Sequence, residues 1–189
     1  MSKLMGKNIF AVDVKAVQQK LAFKYPQATQ LKVMKKFPNQ LAIKAKQRSP
    51  FAQTRMKNRT LTLDEEGVVL STTTQQDDRL PLITGLSPSQ SRFSLGMPIK
   101  GEMMRAALDI IKAFNNSESL TKYKINKVDI ENLSKINLFL SNQPTIILDG
   151  ERAEHKMQIL SLVLSQTELD LKGVKYLDLR FKEPIIGRK

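Results

Sequence analysis

Two spacings of hydrophobic residues run along this chain, one helical and one alternating, and together they outline its elements. Val14, Val17 and Leu21, with Tyr25 at the end, recur at helical spacing behind Asp13, whose carboxylate suits an N-cap. This predicts a helix over 14–25, with Lys15 and Lys20 outside the apolar stripe and Pro26 as its stop. Leu31 and Val33, then Leu41, Ile43 and Ala45, alternate with polar residues on either side of Pro38-Asn39. That is the pattern of a β-hairpin with one buried and one cationic face, closed by Ser49-Pro50. Leu61, Leu63, Val68, Val69 and Leu70 flank Asp64-Glu65-Glu66-Gly67, where Gly67 supplies the positive φ of a tight turn. Residues 71–79 read as a polar loop, Leu80-Pro81-Leu82-Ile83 as a short edge strand before Thr84-Gly85, and 86–100 as a long connection.

The second half is patterned more strongly. Met104, Ala107, Leu108, Ile111 and Phe114 form one face of a helix over 101–115. Strands follow at 123–130, 135–140 and 145–149, then a helix over 152–165 with Met157, Leu160 and Leu164 on its apolar face. A last strand over 174–181 comes after Gly173 and is halted by Pro184. Few helices and mostly sequential strands predict an α+β protein with a largely antiparallel sheet.

Charge alters this picture in one place. The net +13 of the 189 residues lies entirely in residues 1–60, where 14 Lys and Arg face a single acid, Asp13. The remainder carries 17 basic and 17 acidic residues and is neutral. A basic module is thus joined to a neutral one, at about residue 50. Lys32, Lys35, Lys36, Lys44 and Lys46, with Arg48, fall on or near the hairpin, and Lys15, Lys20 and Lys24 on the helix beside it. Such a patch binds polyanions in a salt-dependent way, yet it also fits a solvated outer face. Phe23, Tyr25 and Phe37 are too few, and in the wrong order, for a base-stacking platform, which weighs against nucleic acid; a protein that binds nucleic acid or an anionic surface, such as a lipid surface, through residues 15–48 stays open as the alternative function.

Candidate chemistry is sparse. With no cysteine and one histidine, His155, the chain offers no thiolate nucleophile and no Cys- or His-rich metal site. Asp64-Glu65-Glu66 and Asp77-Asp78 sit in predicted turns without EF-hand spacing, where acids serve the backbone. No phosphate-binding or nucleophile-elbow motif occurs. No catalytic residue, cofactor, metal or small-molecule substrate is expected, and the reading is a binding protein.

Several stretches carry a resemblance. Asn8-Ile9-Phe10 with Asp13, Tyr25-Pro26, Lys35-Lys36-Phe37-Pro38-Asn39 and Arg48-Ser49-Pro50 are followed by Leu63-Asp64-Glu65-Glu66-Gly67-Val68-Val69-Leu70. Leu80-Pro81-Leu82-Ile83-Thr84-Gly85 comes next, and the end reads Val174-Lys175-Tyr176-Leu177-Asp178-Leu179-Arg180-Phe181. In this order they resemble the FtsQ/DivIB family of bacterial cell-division proteins across nearly the whole chain. The resemblance implies the C-terminal part of a POTRA module over 1–50 and a β domain over 51–189. It implies a non-enzymatic divisome scaffold, single-pass in the membrane at full length, with this region extracytoplasmic and the transmembrane helix outside it. The implied partners are proteins of the FtsB and FtsL type, bound by strand addition at an open edge formed by 174–181. Tyr176, Arg180, Phe181 and Glu183 are the expected contacts, with Leu177 and Leu179 packed in the core.

Overall fold

The computed structural model describes residues 8–86, 93–165 and 173–188. It is α+β, with a helix and two-stranded sheet at the N-terminal side and a nine-stranded sheet carrying two helices.

Helix α1 (Val14–Lys24) starts where Asp13 predicts. The Asp13 carboxylate accepts from the N–H groups of Lys15 and Ala16, at 2.9 and 3.1 Å, and satisfies two otherwise orphaned donors. Strands β1 (Ala28–Lys36) and β2 (Gln40–Gln47) pair antiparallel with Val33 opposite Ile43 and Lys35 opposite Leu41. The apolar stripe of α1 is only half-buried; α1 packs on β1, where Val33 is buried, and leaves Ile43 and Ala45 on β2 exposed.

The large sheet runs in the order β11-β10-β9-β8-β7-β6-β3-β4-β5. Its strands are β3 (Ala52–Met56), β4 (Arg59–Leu63), β5 (Val69–Thr73), β6 (Leu82–Thr84), β7 (Ile125–Asn132), β8 (Lys135–Leu140), β9 (Thr145–Leu148), β10 (Val174–Asp178) and β11 (Ile185–Arg188). Most neighbours are antiparallel; β3–β6, β6–β7 and β9–β10 are parallel. Helices α2 (Glu102–Asn115) and α3 (Ala153–Ser165) contact each other, and their buried faces join the core of the sheet. Met104, Ile111 and Phe114 of α2, Ile136 and Leu138 of β8 and Leu160 of α3 all belong to that core. Each such side chain, once buried, contributes about 1.5–3 kcal/mol relative to exposure. Gly67 has the expected positive φ of 77° and lies 3.1 Å, at its would-be Cβ, from Leu108 of α2.

Four expectations change. Residues 71–73, read as loop, continue β5. Strand β3, absent from the hydrophobic pattern, lies inside the sheet. Its polar Gln53 and Thr54 are buried because neighbouring backbone satisfies them: Gln53 Nε2 donates to the carbonyls of Asp77 and Leu80, and Thr54 Oγ1 to that of Ile83. Strand β6 is not an edge but sits between β3 and β7, because Pro81 precedes the paired residues and needs no donor there. The strand beginning at 174 stops at Asp178 and is not the sheet edge either, since β11 pairs along its outer side. The expected connection at 86–100 falls partly outside the described residues, at 87–92.

Candidate functional site

Strand β10 reaches the sheet through the β9–α3–β10 crossover and lies parallel to β9, with Leu177 opposite Ile146. Leu177 and Leu179 are buried, as expected of core residues. After Asp178 the chain turns through Arg180–Glu183 and returns as β11, with Asp178 opposite Ile185 and Leu177 opposite Ile186. Pro184 stands just ahead of β11, where a missing N–H removes no ladder bond. Among the described residues nothing pairs with the outer side of β11, and Ile185 and Ile186 are 46% and 37% exposed.

The four residues singled out in the sequence converge here but play different parts. The ring of Tyr176 lies across its cross-strand partner Gly187, so closely that a Cβ on that glycine would be 2.2 Å from Cε1. Arg180 is turned inward: Nε donates to Asp178 Oδ1 at 2.9 Å, Nη2 to Oδ2 at 2.7 Å, and Nη1 to the Ser134 carbonyl at 3.2 Å. Those bonds hold the buried Asp178 carboxyl below its ordinary pKa, the Arg180 hydrogen bond being the main cause against the opposing pull of burial. Arg180 therefore ties the turn to the β7–β8 connection. Phe181 is 54% exposed with the Arg180 guanidinium 5.6 Å from its ring centre, and Glu183 is exposed in the same turn. Beside them an open groove of about 680 Å³ is lined by Arg105, Leu133, Asp149, Glu151, Arg180 and Phe181.

The basic residues divide by strand parity. Lys32, Lys36, Lys44 and Lys46 share the outer hairpin face with Met34, and Lys32 stands directly opposite Lys44. Lys35 belongs to the other face, where its ammonium donates to the Phe10 carbonyl at 3.1 Å. Lys15, Lys20 and Lys24 ride on α1, across the hairpin from the outer face. Arg48 leaves the patch altogether and joins the two sheets, bonding Asp64 and, at 2.7 Å, Glu66.

The acidic clusters serve the backbone. Asp64 is buried and accepts from the N–H groups of Glu66 and Val68 besides Arg48, while Asp77 pairs with Arg79 in an exposed turn. His155 is exposed on α3. The site residues missed in the sequence are Ile185 and Ile186, and their signal was available: two β-branched residues immediately after a proline.

Fold and edge together define an α+β module whose sheet ends in a strand open to further pairing. The chain belongs to the FtsQ/DivIB family of cell-division proteins: the family profile described as "Cell division protein FtsQ/DivIB, C-terminal" matches residues 52–180. Cell division protein FtsQ of Myxococcus fulvus is similar to it, 26% identical over 170 residues, covering 89% of this chain. The chain spans 57% of the length of that relative.

Proposed function

We propose that this chain is the extracytoplasmic part of a single-pass divisome scaffold that acts in septum formation without catalysis, residues 1–50 forming the POTRA-like part and 51–189 the β domain. It holds partners of the FtsB and FtsL type by accepting a strand. The observation that carries this reading is the outer side of β11, unpaired among the described residues and flanked by the exposed Phe181. An unpaired strand edge is a template that proteins either blunt or use. Main-chain bonds along it supply affinity, and alternate side chains supply specificity. The acceptor is β11 rather than β10, and Phe181, with Tyr176 and Glu183 near it, contacts the partner, while Arg180 positions the turn that presents Phe181. Membership of a cell-division family supports the role. It lends no support to a nucleic-acid-binding protein acting through residues 15–48.

The test uses the extracytoplasmic segment of the cognate FtsB-type partner. Binding is expected to slow hydrogen exchange at Ile185–Arg188. Phe181→Ala is expected to weaken it by about 2 kcal/mol or more, as truncation of an aromatic hot spot does. Tight binding with no added protection at β11 would refute strand addition at this edge.

A further inference from the structure

The outer face of the β1–β2 hairpin has no part in the edge just described, and its composition is lopsided. Lys32, Lys36, Lys44 and Lys46 point to one side of a two-stranded ribbon, with Met34, Ala42 and Gln40 between them. Like charges directly opposite one another destabilise a strand pair, yet Lys32 faces Lys44. Among the described residues, the ion pairs found involve none of these lysines. Asp13, the one acid in the first 60 residues, is occupied in capping α1.

A second, apolar feature stands at the tip of the same hairpin. Phe37 follows Lys36 at the turn, and its ring lies 5.4 Å from that of Phe10. The two rings are 62% and 72% exposed, although contact between them spares neither from water. Phe10 comes to the tip from the Lys35 side, where the Lys35 ammonium donates to its carbonyl, so the opposite, outer face is charged by lysines alone and meets anionic headgroups by charge.

We propose that this face docks on the anionic phospholipid headgroups of a bilayer, with Lys32, Lys36, Lys44 and Lys46 over the headgroups. A flat ribbon suits a plane. Nucleic acid is the less suitable polyanion, because the outer face itself carries no aromatic ring on which a base could stack. The placement in the fold agrees. The hairpin is joined to the β5 end of the large sheet by Arg48 on Asp64 and Glu66, and by Pro26 against Gly96 beside β5. Strand β11 is at the opposite end of the nine strands. Eight spacings of about 4.8 Å separate the two edges by roughly 38 Å along the sheet, so a membrane contact at one end leaves the other free. The inference goes beyond the scaffold reading and is measured separately from it.

The test is co-sedimentation of the full chain with vesicles of phosphatidylglycerol and phosphatidylcholine, against phosphatidylcholine alone, over a salt series. Binding to the anionic vesicles is expected at low salt, with a steep decline as salt rises. Lys32→Ala and Lys44→Ala are each expected to lower the partition coefficient about fivefold, the effect of one basic residue at an anionic surface. Equal binding to both kinds of vesicle, or lysine variants that bind like the parent, would overturn the proposal. Duplex DNA that displaces the protein from the vesicles at lower charge concentration than the lipid would overturn it in favour of nucleic acid. Lysine variants that lose vesicles but keep the partner peptide support it. Vesicle binding absent while the peptide still binds refutes this inference and leaves the scaffold reading standing.

Discussion

Replacing Arg180 by alanine tests whether this side chain is a partner contact or the clamp that shapes the turn. In the folded protein its guanidinium makes three charge-assisted bonds to Asp178, at 2.9, 3.2 and 2.7 Å, and a fourth bond to the Ser134 carbonyl at 3.2 Å. The Asp178 side chain is 7% exposed, whereas that of Arg180 is 29% exposed. Removing one partner of a fully buried pair costs roughly 3–5 kcal/mol, because the other charge is left without compensation. Solvent reaches the arginine here, and the Asp178 carboxylate keeps one bond from the Arg180 backbone N–H at 3.1 Å, so the loss should be smaller, about 2 kcal/mol. The pH dependence sharpens the test. Asp178 titrates below its ordinary value in the folded protein, so its contribution is complete above the unfolded pKa and is lost as pH falls through the lowered folded pKa. Without the Arg180 guanidinium, burial favours the neutral carboxyl and is opposed only by the weaker pull of the residue 180 backbone N–H and of the Lys135 charge. The deficit of Arg180→Ala, measured by urea unfolding, should therefore be largest at pH 6–7 and shrink below about pH 4. A deficit under about 0.5 kcal/mol, the range of ordinary surface substitutions, or one that does not vary with pH, would refute the clamp.

Leu179→Ala should cost about 2–5 kcal/mol in urea unfolding, since the side chain is buried, and exposed Phe181→Ala should cost well under half as much. Asp77 is lowered to about 2, chiefly by the Arg79 side-chain hydrogen bond; in Arg79→Ala, carbon-detected NMR should find it raised toward the ordinary carboxylate range, with the residue 79 backbone N–H still holding part of the shift. Gly187→Val should drive the Tyr176 ring off β11 and speed amide exchange at Ile185–Arg188, with little change at β7 and β8. Arg48→Ala should loosen the hairpin from the large sheet, read as faster proteolysis around residues 48–51 while the core of the β domain stays protected.

Local rules carried the helices and most of the strands. The Asp13 cap, the apolar face of α2 and the alternation in β8 needed only side-chain chemistry and spacing: the cap is a local bond, and α2 and β8 each bury one face. The same rules misjudged elements whose surroundings are set by distant chain. Gln53 and Thr54 looked like surface residues, yet carbonyls of residues 77–83 meet their polar atoms inside the sheet. Pro81 and Pro184 looked like edge and stop signals. Both instead stand one residue before a strand, a position where proline is neutral toward pairing.

For the site, the residues near the C-terminus were indicated by the family resemblance, whereas the period of two along β1 and β2 put Lys32, Lys36, Lys44 and Lys46 on one face. Strand order the sequence could not determine. Whether 174–178 is an edge depends on a strand that returns seven residues later, and whether Arg180 is free depends on a carboxylate two residues back and a carbonyl 46 residues away. Those are long-range pairings, favoured only once the sheet has brought the groups together, and no local pattern encodes them. The tertiary structure alone turns Arg180 inward, leaves Phe181 outside, and makes β11 the strand that meets solvent.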